Sequence, residues 1–345
     1  MKELGVVTAI LTSQLMDVIV NTLSKAAMKK GMNNFVFVMY SNAFAASSLF
    51  LFTFIFCRKR TLPPLSYNIL AQLCVIGLFS CSNQLLKYFG IAYTSPTLAS
   101  AMSDLIPAFT FILAIIFRME KLDWKAYSSW AKSIGTFVSI AGALIMSLFK
   151  GQAVINNYQP FKSFHGKRFV SVQYEWVLGA VFLVASSFLL SVNFILVKRI
   201  LREYPSEPVV VLIRLTLTSI LSVPAALISE KDLKALRLGF NMELIAIGCS
   251  AIFVLSFGGV IYTWAIGKTG PVYVAMFNPL EIIFAVILGT IFLGDSLYVG
   301  SVIGAGIVVI GFYAVLWGKT QEKVDEESTV CSSELHNNEA TLLLK

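Results

Sequence analysis

Acidic and amide side chains interrupt stretches of this chain that are otherwise apolar, and these side chains could bind a small solute. Asp104 lies three residues before Pro107, and Glu281 lies two residues after Pro279. Because proline has no N–H, each proline leaves the carbonyl four residues before it without its helical partner. We expect these carbonyls to form a polar patch on each side of a central cavity, together with Asp104, Asn278 and Glu281.

The third apolar stretch supplies groups of the opposite character. It carries Gln84, Lys87 and Tyr88, and Asn83 stands beside them. An amino acid would present its ammonium group to carboxylates and carbonyls, and its carboxylate to donors such as these. One alternative stays open: the polar groups bond only to one another and hold helices together, while aromatic rings anchor the chain at the membrane surface. The candidate solute-binding residues are Gln84, Tyr88, Asp104, Asn278, Glu281 and Trp264.

Further charged residues lie in or near the apolar stretches. Lys25 and Arg214 stand close to the ends of their stretches, so we expect these long side chains to extend to the membrane surface. Asp17 must face a cavity, form a pair or lie near a helix end, because a lone charge inside a bilayer is costly. A carboxyl group in an apolar setting is a candidate for proton exchange, a role that we assign to Asp104 or Glu281.

No catalytic or metal-binding pattern is visible. The sequence has no GxSxG, HExxH, Walker or CxxC motif, and its two histidines lie in a loop and in the C-terminal tail. The five cysteines fall mostly in apolar stretches, where we interpret them as small packing residues. We therefore predict no enzymatic activity, no metal and no cofactor. The lack of a nucleotide-binding loop argues against an ATP-driven pump.

Composition indicates the medium in which these residues lie. Of 345 residues, 57% are hydrophobic and only 13% are charged, whereas soluble domains carry about 25% charged residues. Lipid is therefore the predicted solvent, and the apolar stretches are predicted to be membrane-spanning helices. The net charge of +8 lies in short clusters between the stretches, which argues against nucleic-acid binding and favours cytosolic termini. Ten spans are expected, at about 5–27, 35–57, 67–92, 97–117, 128–149, 175–197, 208–229, 243–266, 271–293 and 298–317.

The two halves of the chain resemble each other. The stretch 94–122 recurs at 269–297, with Pro96 matching Pro271, although the internal prolines differ in register. Because each half holds five spans, the second half must enter the membrane from the opposite side, as inverted repeats do. The predicted divisions are a first repeat at 1–149, an inter-repeat loop at 150–174, a second repeat at 175–318 and a disordered cytosolic tail at 319–345.

Small residues and chain ends give three further expectations. Gly300 and Gly304 have GxxxG spacing, which indicates close packing within the chain or, alternatively, a homodimer. The first span is interpreted as a retained signal anchor, since no cleavage site follows it. Residues 339–344 of the tail match an acidic dileucine sorting signal.

An ordered set of motifs resembles the plant drug/metabolite exporter family, also called the nodulin-21-like, Walls-Are-Thin-related (WAT1-related) or UMAMIT family, with two EamA domains. The resemblance covers nearly all of 1–319. It implies the ten-helix fold of the drug/metabolite transporter superfamily, cytosolic termini, and movement of amino acids or auxin-like compounds across the plasma or vacuolar membrane. The motifs that carry the resemblance include Arg60-Thr-Leu-Pro-Pro64, Ser95-Pro-Thr-Leu-Ala-Ser-Ala101, Pro107-Ala-Phe-Thr-Phe111, Arg202-Glu-Tyr-Pro205, Ala275-Met-Phe277, Asp295-Ser-Leu297 and Trp317-Gly-Lys319.

The sequence also departs from this family's pattern. In the third span only Gln84 and Tyr88 agree with the Asp-Gln-Asn and Tyr pattern. Asp104 stands where an Asn is usual, and Glu281 stands where a Ser often follows Pro-Leu. The general resemblance survives these changes, but a substrate cannot be carried over from any relative.

We predict a secondary carrier or facilitator of small organic solutes, amino acids first, in the plasma membrane or, alternatively, the vacuolar membrane. Its expected partners are the solute, the lipid bilayer and protons, with a homodimer as an additional expectation and no nucleic acid. Two alternatives remain open. One is an exchanger of nucleotide sugars or sugar phosphates, which would need more basic residues in the cavity than Lys87. The other is a membrane scaffold or sensor that does not transport.

Overall fold

In a computed structural model, the described part of the chain forms ten helices that follow one another. The model describes residues 2–28, 34–57, 66–93, 102–119, 127–148, 153–155, 171–229, 242–288, 297–300, 302–318 and 320–321. The tail predicted to be disordered, apart from 320–321, and the sorting signal lie outside these residues. The first seven helices are α1 (Lys2–Met28), α2 (Asn34–Cys57), α3 (Tyr67–Tyr93), α4 (Ile106–Ile116), α5 (Tyr127–Leu148), α6 (Ser171–Glu203) and α7 (Glu207–Ser229).

The last three helices are less regular. Helix α8 begins as Met242–Cys249, widens into a π-helix over Ser250–Gly258 and ends as Gly259–Thr269. Helix α9 has two segments, Pro271–Ala275 and Asn278–Leu288, and α10 spans Val302–Gly318. The predicted all-helical architecture of ten helices is confirmed. A short antiparallel ladder adds to it, in which β1 (Ala153–Ile155) pairs with β2 (Leu297–Tyr298).

The helices carry apolar side chains on both their packed and their outward faces. Five of them, namely α2, α3, α6, α7 and α8, are long and apolar enough to cross a membrane. Large side chains such as Phe54, Phe137 and Ile228 point away from the bundle. A helix satisfies its own backbone hydrogen bonds, so this surface is compatible with hydrocarbon.

Helices from the two halves interlock in one core. Helix α3 packs along α6, α2 packs along α7, and α1 packs against α8. Gly90 of α3 illustrates how close the first of these contacts is, because a Cβ there would lie 2.6 Å from Leu183 of α6. The main buried cluster draws on both halves, with Ile10 and Ile76 from the first and Ile200 and Phe277 from the second.

Helices α5 and α10 meet along a row of glycines. A Cβ at Gly311 would lie 2.5 Å from the backbone nitrogen of Ser139, and one at Gly135 would lie 2.7 Å from the Gly311 carbonyl. Small residues allow this backbone approach, as expected for helices that associate in lipid. These glycines therefore serve packing within one chain. The homodimer suggested by Gly300 and Gly304 stays a prediction.

Both fourth helices of the halves are interrupted next to their prolines. In the first half a turn at 104–105 precedes α4, and in the second a turn at 276–277 separates the two segments of α9. Pro107 and Pro279 each lie in the first turn of the helical segment that follows. The expectation that each proline lies inside a continuous helix is therefore corrected. In a first helical turn the missing N–H costs little, because no intrahelical acceptor exists for it there.

Candidate functional site

The interruption in α9 is held by a side chain from the other half. Gln14 of α1 is fully buried, and its Nε2 donates to the carbonyl of Phe277 at 2.6 Å. The same carbonyl accepts the N–H of Leu280 at 2.9 Å. An unpaired carbonyl inside a bilayer would cost several kcal/mol. Gln14 therefore helps to make the interruption tolerable at this depth.

Backbone carbonyls at the interruption before α4 also accept hydrogen bonds from side chains of the other half. Ser187 of α6 donates through Oγ to the carbonyl of Met102 at 2.8 Å. One turn later, Ser191 donates to the carbonyl of Ile106 at 3.1 Å. The first helix of each half thus contributes polar side chains to the interrupted fourth helix of the other half, an arrangement that suits two units moving around a common centre.

An acidic cluster lies beside the α9 interruption. The hydroxyl of Tyr262 on α8 donates a long hydrogen bond of 3.4 Å to Oδ2 of Asp17 on α1. The charges of Glu281 and Lys87 both act on Asp17, the first unfavourably and the second favourably. Among the described residues, Oδ1 of Asp17 is buried without a hydrogen-bond partner. The carboxyl groups of Asp17 and Glu281 therefore lie close enough for their charges to interact, the exposed ammonium group of Lys87 is near them, and Oδ1 of Asp17 has no hydrogen bond among the described residues.

A pair of amides lies between α2 and α3. Asn42 is buried, and its Nδ2 donates to Oε1 of Gln84 at 3.0 Å and to the carbonyl of Val38 at 2.8 Å. Gln84 is half-buried and lies three residues before Lys87. The contact fixes the orientation of the Gln84 side chain, so that Gln84 serves packing and could also contact a solute.

The predicted site residues separate into groups. Asn278 begins the second segment of α9 and Glu281 lies in its first turn, next to the Gln14 contact. Tyr88 is half-buried on α3, one turn after Gln84. Trp264 packs against the main hydrophobic core.

Asp104 belongs to the other interruption. It is only 1% exposed and lies in the turn that precedes α4. The carbonyls on either side of it, of Met102 and Ile106, are bound by serines of α6. Asp104 and Glu281 thus lie at different interrupted helices, and the expectation that they line two sides of one cavity stays a prediction.

Three further residues of the site were missed by the sequence analysis. Gln14, Asn42 and Tyr262 are not among the candidate residues of the sequence analysis. Asp17 was noted as a charge without a site. The available signal was the spacing of Gln14 and Asp17, which are three residues apart and so share one face of α1. Within the described ranges, no three His, Cys, Asp or Glu side chains come together as a metal site would require.

Comparison with known proteins agrees with this architecture. The EamA-like transporter family matches residues 4–148 and 177–317, which confirms the two-repeat organisation. The WAT1-related protein At3g28050 of Arabidopsis thaliana is 43% identical over 99% of this chain and 92% of its own length. The WAT1-related protein At5g40210 of the same plant is 41% identical over 96% of this chain and 94% of its own length. A solved crystal structure shares the fold with a TM-score of 0.67 at 15% identity, covering 90% of this chain and 96% of that one.

Proposed function

Because the chain belongs to the EamA-like transporter family, we propose that this multi-pass membrane transporter of small solutes carries amino acids or related metabolites, including auxin-like compounds. It acts as a secondary carrier or facilitator rather than as an enzyme. The proposed membrane is the plasma membrane, with the vacuolar membrane as the alternative, and both termini face the cytosol. The proposed repeats are 1–149 and 175–318, joined by the loop 150–174.

The observation that carries this proposal is the acidic cluster beside an interrupted helix. Glu281 follows the break in α9, and its charge acts on Asp17 of the opposite repeat. An ammonium group binding between these two carboxylates would relieve their repulsion and supply the hydrogen bond that Oδ1 of Asp17 lacks among the described residues. Gln84, Tyr88 and Asn278 complete the proposed site with amide and hydroxyl groups.

Proton coupling is a second part of the proposal. Two carboxyl groups at membrane depth are held at lower cost when one of them carries a proton or when a cation lies between them. A proton could therefore replace the solute's ammonium group when the site empties. Asp104 remains a second candidate for proton exchange from its position at the α4 interruption.

Flux measurements test the proposal. We would measure uptake and efflux of radiolabelled amino acids and of indole-3-acetate in oocytes that express the chain, at two external pH values. Flux is expected to exceed that of water-injected oocytes and to fall about tenfold in Glu281→Gln.

The matched control is Glu243→Gln, a carboxyl group in the first turn of α8 outside the cluster, which should retain wild-type flux. If surface expression is confirmed and no amino acid or indole-3-acetate moves above control, the proposed solute class is wrong. If flux is the same at both pH values, transport is not coupled to protons and the chain acts as a facilitator.

A further inference from the structure

Arg214 is a half-buried cation whose guanidinium group faces the helix bundle. It stands on α7, and the structure directs its guanidinium group against α8 rather than along α7 toward the membrane surface. Its Nη2 lies 3.1 Å from the position that a Cβ of Gly259 would occupy, and Val211 lies 3.2 Å from the same position. The expectation that this side chain extends to the surface is therefore corrected. A Cβ at Gly259 would press against the guanidinium group and force it to shift by a few tenths of an ångström.

The guanidinium group has unused hydrogen-bonding capacity. Arginine offers five N–H donors and remains charged at any physiological pH. Within the part of the chain that the structure describes, no ion pair or hydrogen bond is found for Arg214, and burial is the one influence that acts on its charge. A cation at membrane depth without a counter-charge is costly. Binding of an anion beside Arg214 would therefore lower the energy of this half-buried charge.

A second unsatisfied group reaches the same part of α8. Ser13 of α1 is only 4% exposed, and its hydroxyl lies 3.0 Å from the position that a Cβ of Gly258 would occupy. In the described chain this hydroxyl has no hydrogen-bond partner. The π-helix of α8 ends at Gly258, and π-helical segments often occur at functional sites. Two adjacent glycines thus leave room for Arg214 on one side and Ser13 on the other.

We propose that Arg214, assisted by the hydroxyl of Ser13, binds the carboxylate of the transported solute. This inference rests on the proposed function and narrows its solutes to carboxylic acids. Gly259 precedes Tyr262 by about one helical turn, roughly 5 Å along α8. An amino acid would thus place its carboxylate at Arg214 and its ammonium group at Asp17 and Glu281. An auxin-like acid, which has no ammonium group, would use the arginine alone.

Ligand-induced thermal stabilisation of the purified full chain in detergent tests the inference. Unfolding would be followed with a thiol-reactive dye in a Cys74→Ser background, since Cys81 is buried in the folded protein whereas Cys74 is exposed. The probes are two matched pairs, L-phenylalanine with L-phenylalaninamide and indole-3-acetate with indole-3-acetamide. Each amide keeps the shape of its acid but lacks the negative charge. We expect the acids to raise Tm and the amides to leave it unchanged.

Variants identify the group responsible. Arg214→Gln should weaken binding of the acids at least tenfold and abolish discrimination between each acid and its amide, while Arg214→Lys should restore part of it. Gly259→Ala should weaken binding because its Cβ would displace the guanidinium. Gly248→Ala is the matched control on the same helix, because nothing lies within 4 Å of a Cβ there.

The outcomes separate this inference from the broader proposal. Wild-type discrimination that persists in Arg214→Gln overturns the role of Arg214, even if the chain transports the same acids. Equal stabilisation by acids and amides, or no stabilisation by any of the four probes, overturns the carboxylate site. Flux of an uncharged or cationic solute in oocytes would then leave the transporter assignment intact without this site.

Discussion

Replacement of Gln14 by leucine tests whether the α9 interruption depends on the opposite repeat. Leucine has nearly the same volume but cannot donate to the Phe277 carbonyl, which Gln14 reaches at 2.6 Å. A buried acceptor that loses its donor costs about 1–3 kcal/mol. Two features of the structure indicate that the cost of Gln14→Leu lies at the lower end of this range. The Phe277 carbonyl keeps the N–H of Leu280, and the substitution removes Oε1 of Gln14, a buried acceptor without a partner in the described chain.

We therefore expect Gln14→Leu to destabilise the fold by about 1 kcal/mol, which corresponds to a fall in Tm of about 1–2 °C for a chain of this length. Flux per copy at the surface should fall several-fold, because Asn278 and Glu281 follow directly on the carbonyl that Gln14 holds. The assay is the dye-based melting curve, combined with flux normalised to surface expression.

A control on the same helix separates this effect from a general effect of polar loss in α1. Thr12 is exposed, and its hydroxyl donates within the helix to the Thr8 carbonyl at 2.8 Å. Thr12→Val should change stability by less than about 0.5 kcal/mol. If Gln14→Leu melts at the wild-type temperature and transports at the wild-type rate, the interruption does not depend on Gln14 and the reasoning is refuted.

Two further predictions concern other parts of the bundle. Gly311→Ala should lower the free energy of unfolding by about 1–3 kcal/mol, because its Cβ would lie 2.5 Å from the Ser139 backbone nitrogen. The control is Gly306→Ala on the same helix, which has open space around its Cβ and should melt at or slightly above the wild-type temperature. Equal melting temperatures of the two variants would contradict the packing of α5 on α10. Tyr262→Phe removes the hydrogen bond to Asp17 and should raise the KM for amino-acid uptake several-fold with little change in Tm, whereas an unchanged KM would place Asp17 outside the solute path.

Periodicity and composition were sufficient to predict the helices. Each of the ten predicted spans corresponds to a helix, and most boundaries agree within a few residues because a bilayer requires about 20 apolar residues per crossing. Two helices differ most: α4 is predicted to begin at 97 and begins at Ile106, and α6 is predicted at 175–197 and spans Ser171–Glu203. Its C-terminal turns extend beyond the apolar run and carry charged side chains, which composition alone treats as loop.

The partners of individual polar side chains could not be predicted from the sequence. That Gln14 meets Phe277, and that Ser187 meets Met102, depends on how α1 and α6 cross the opposite repeat. The sequence shows that Pro107 and Pro279 interrupt their helices. It does not show that each proline lies in the first turn of a new helical segment, because this depends on where the segment before it ends. Asp104 and Glu281 stand at similar distances from prolines, and only the tertiary structure shows that Glu281 lies by a second carboxyl group.

Part of the polar network is structural, as the alternative interpretation of the sequence allowed. Asn42 and Gln84 bind each other between neighbouring helices, and Gln14 is used by a backbone carbonyl. Asp17 differs from these residues because it carries a carboxyl group and a second acid acts on its charge; among the described residues its Oδ1, like Oε1 of Gln14 and Oδ1 of Asn42, has no hydrogen-bond partner. The acidic cluster is therefore the best candidate for contact with a solute.

The most direct test of the account is solute counterflow in proteoliposomes that contain only the purified chain. Vesicles loaded with unlabelled amino acid are diluted into labelled amino acid, and internal label is followed over time in the wild type, Glu281→Gln and Glu243→Gln. The account predicts a transient accumulation of label in the wild type and in Glu243→Gln, reduced about tenfold in Glu281→Gln. Equal accumulation in all three proteins would show that the solute does not pass the acidic cluster, and would contradict the central claim.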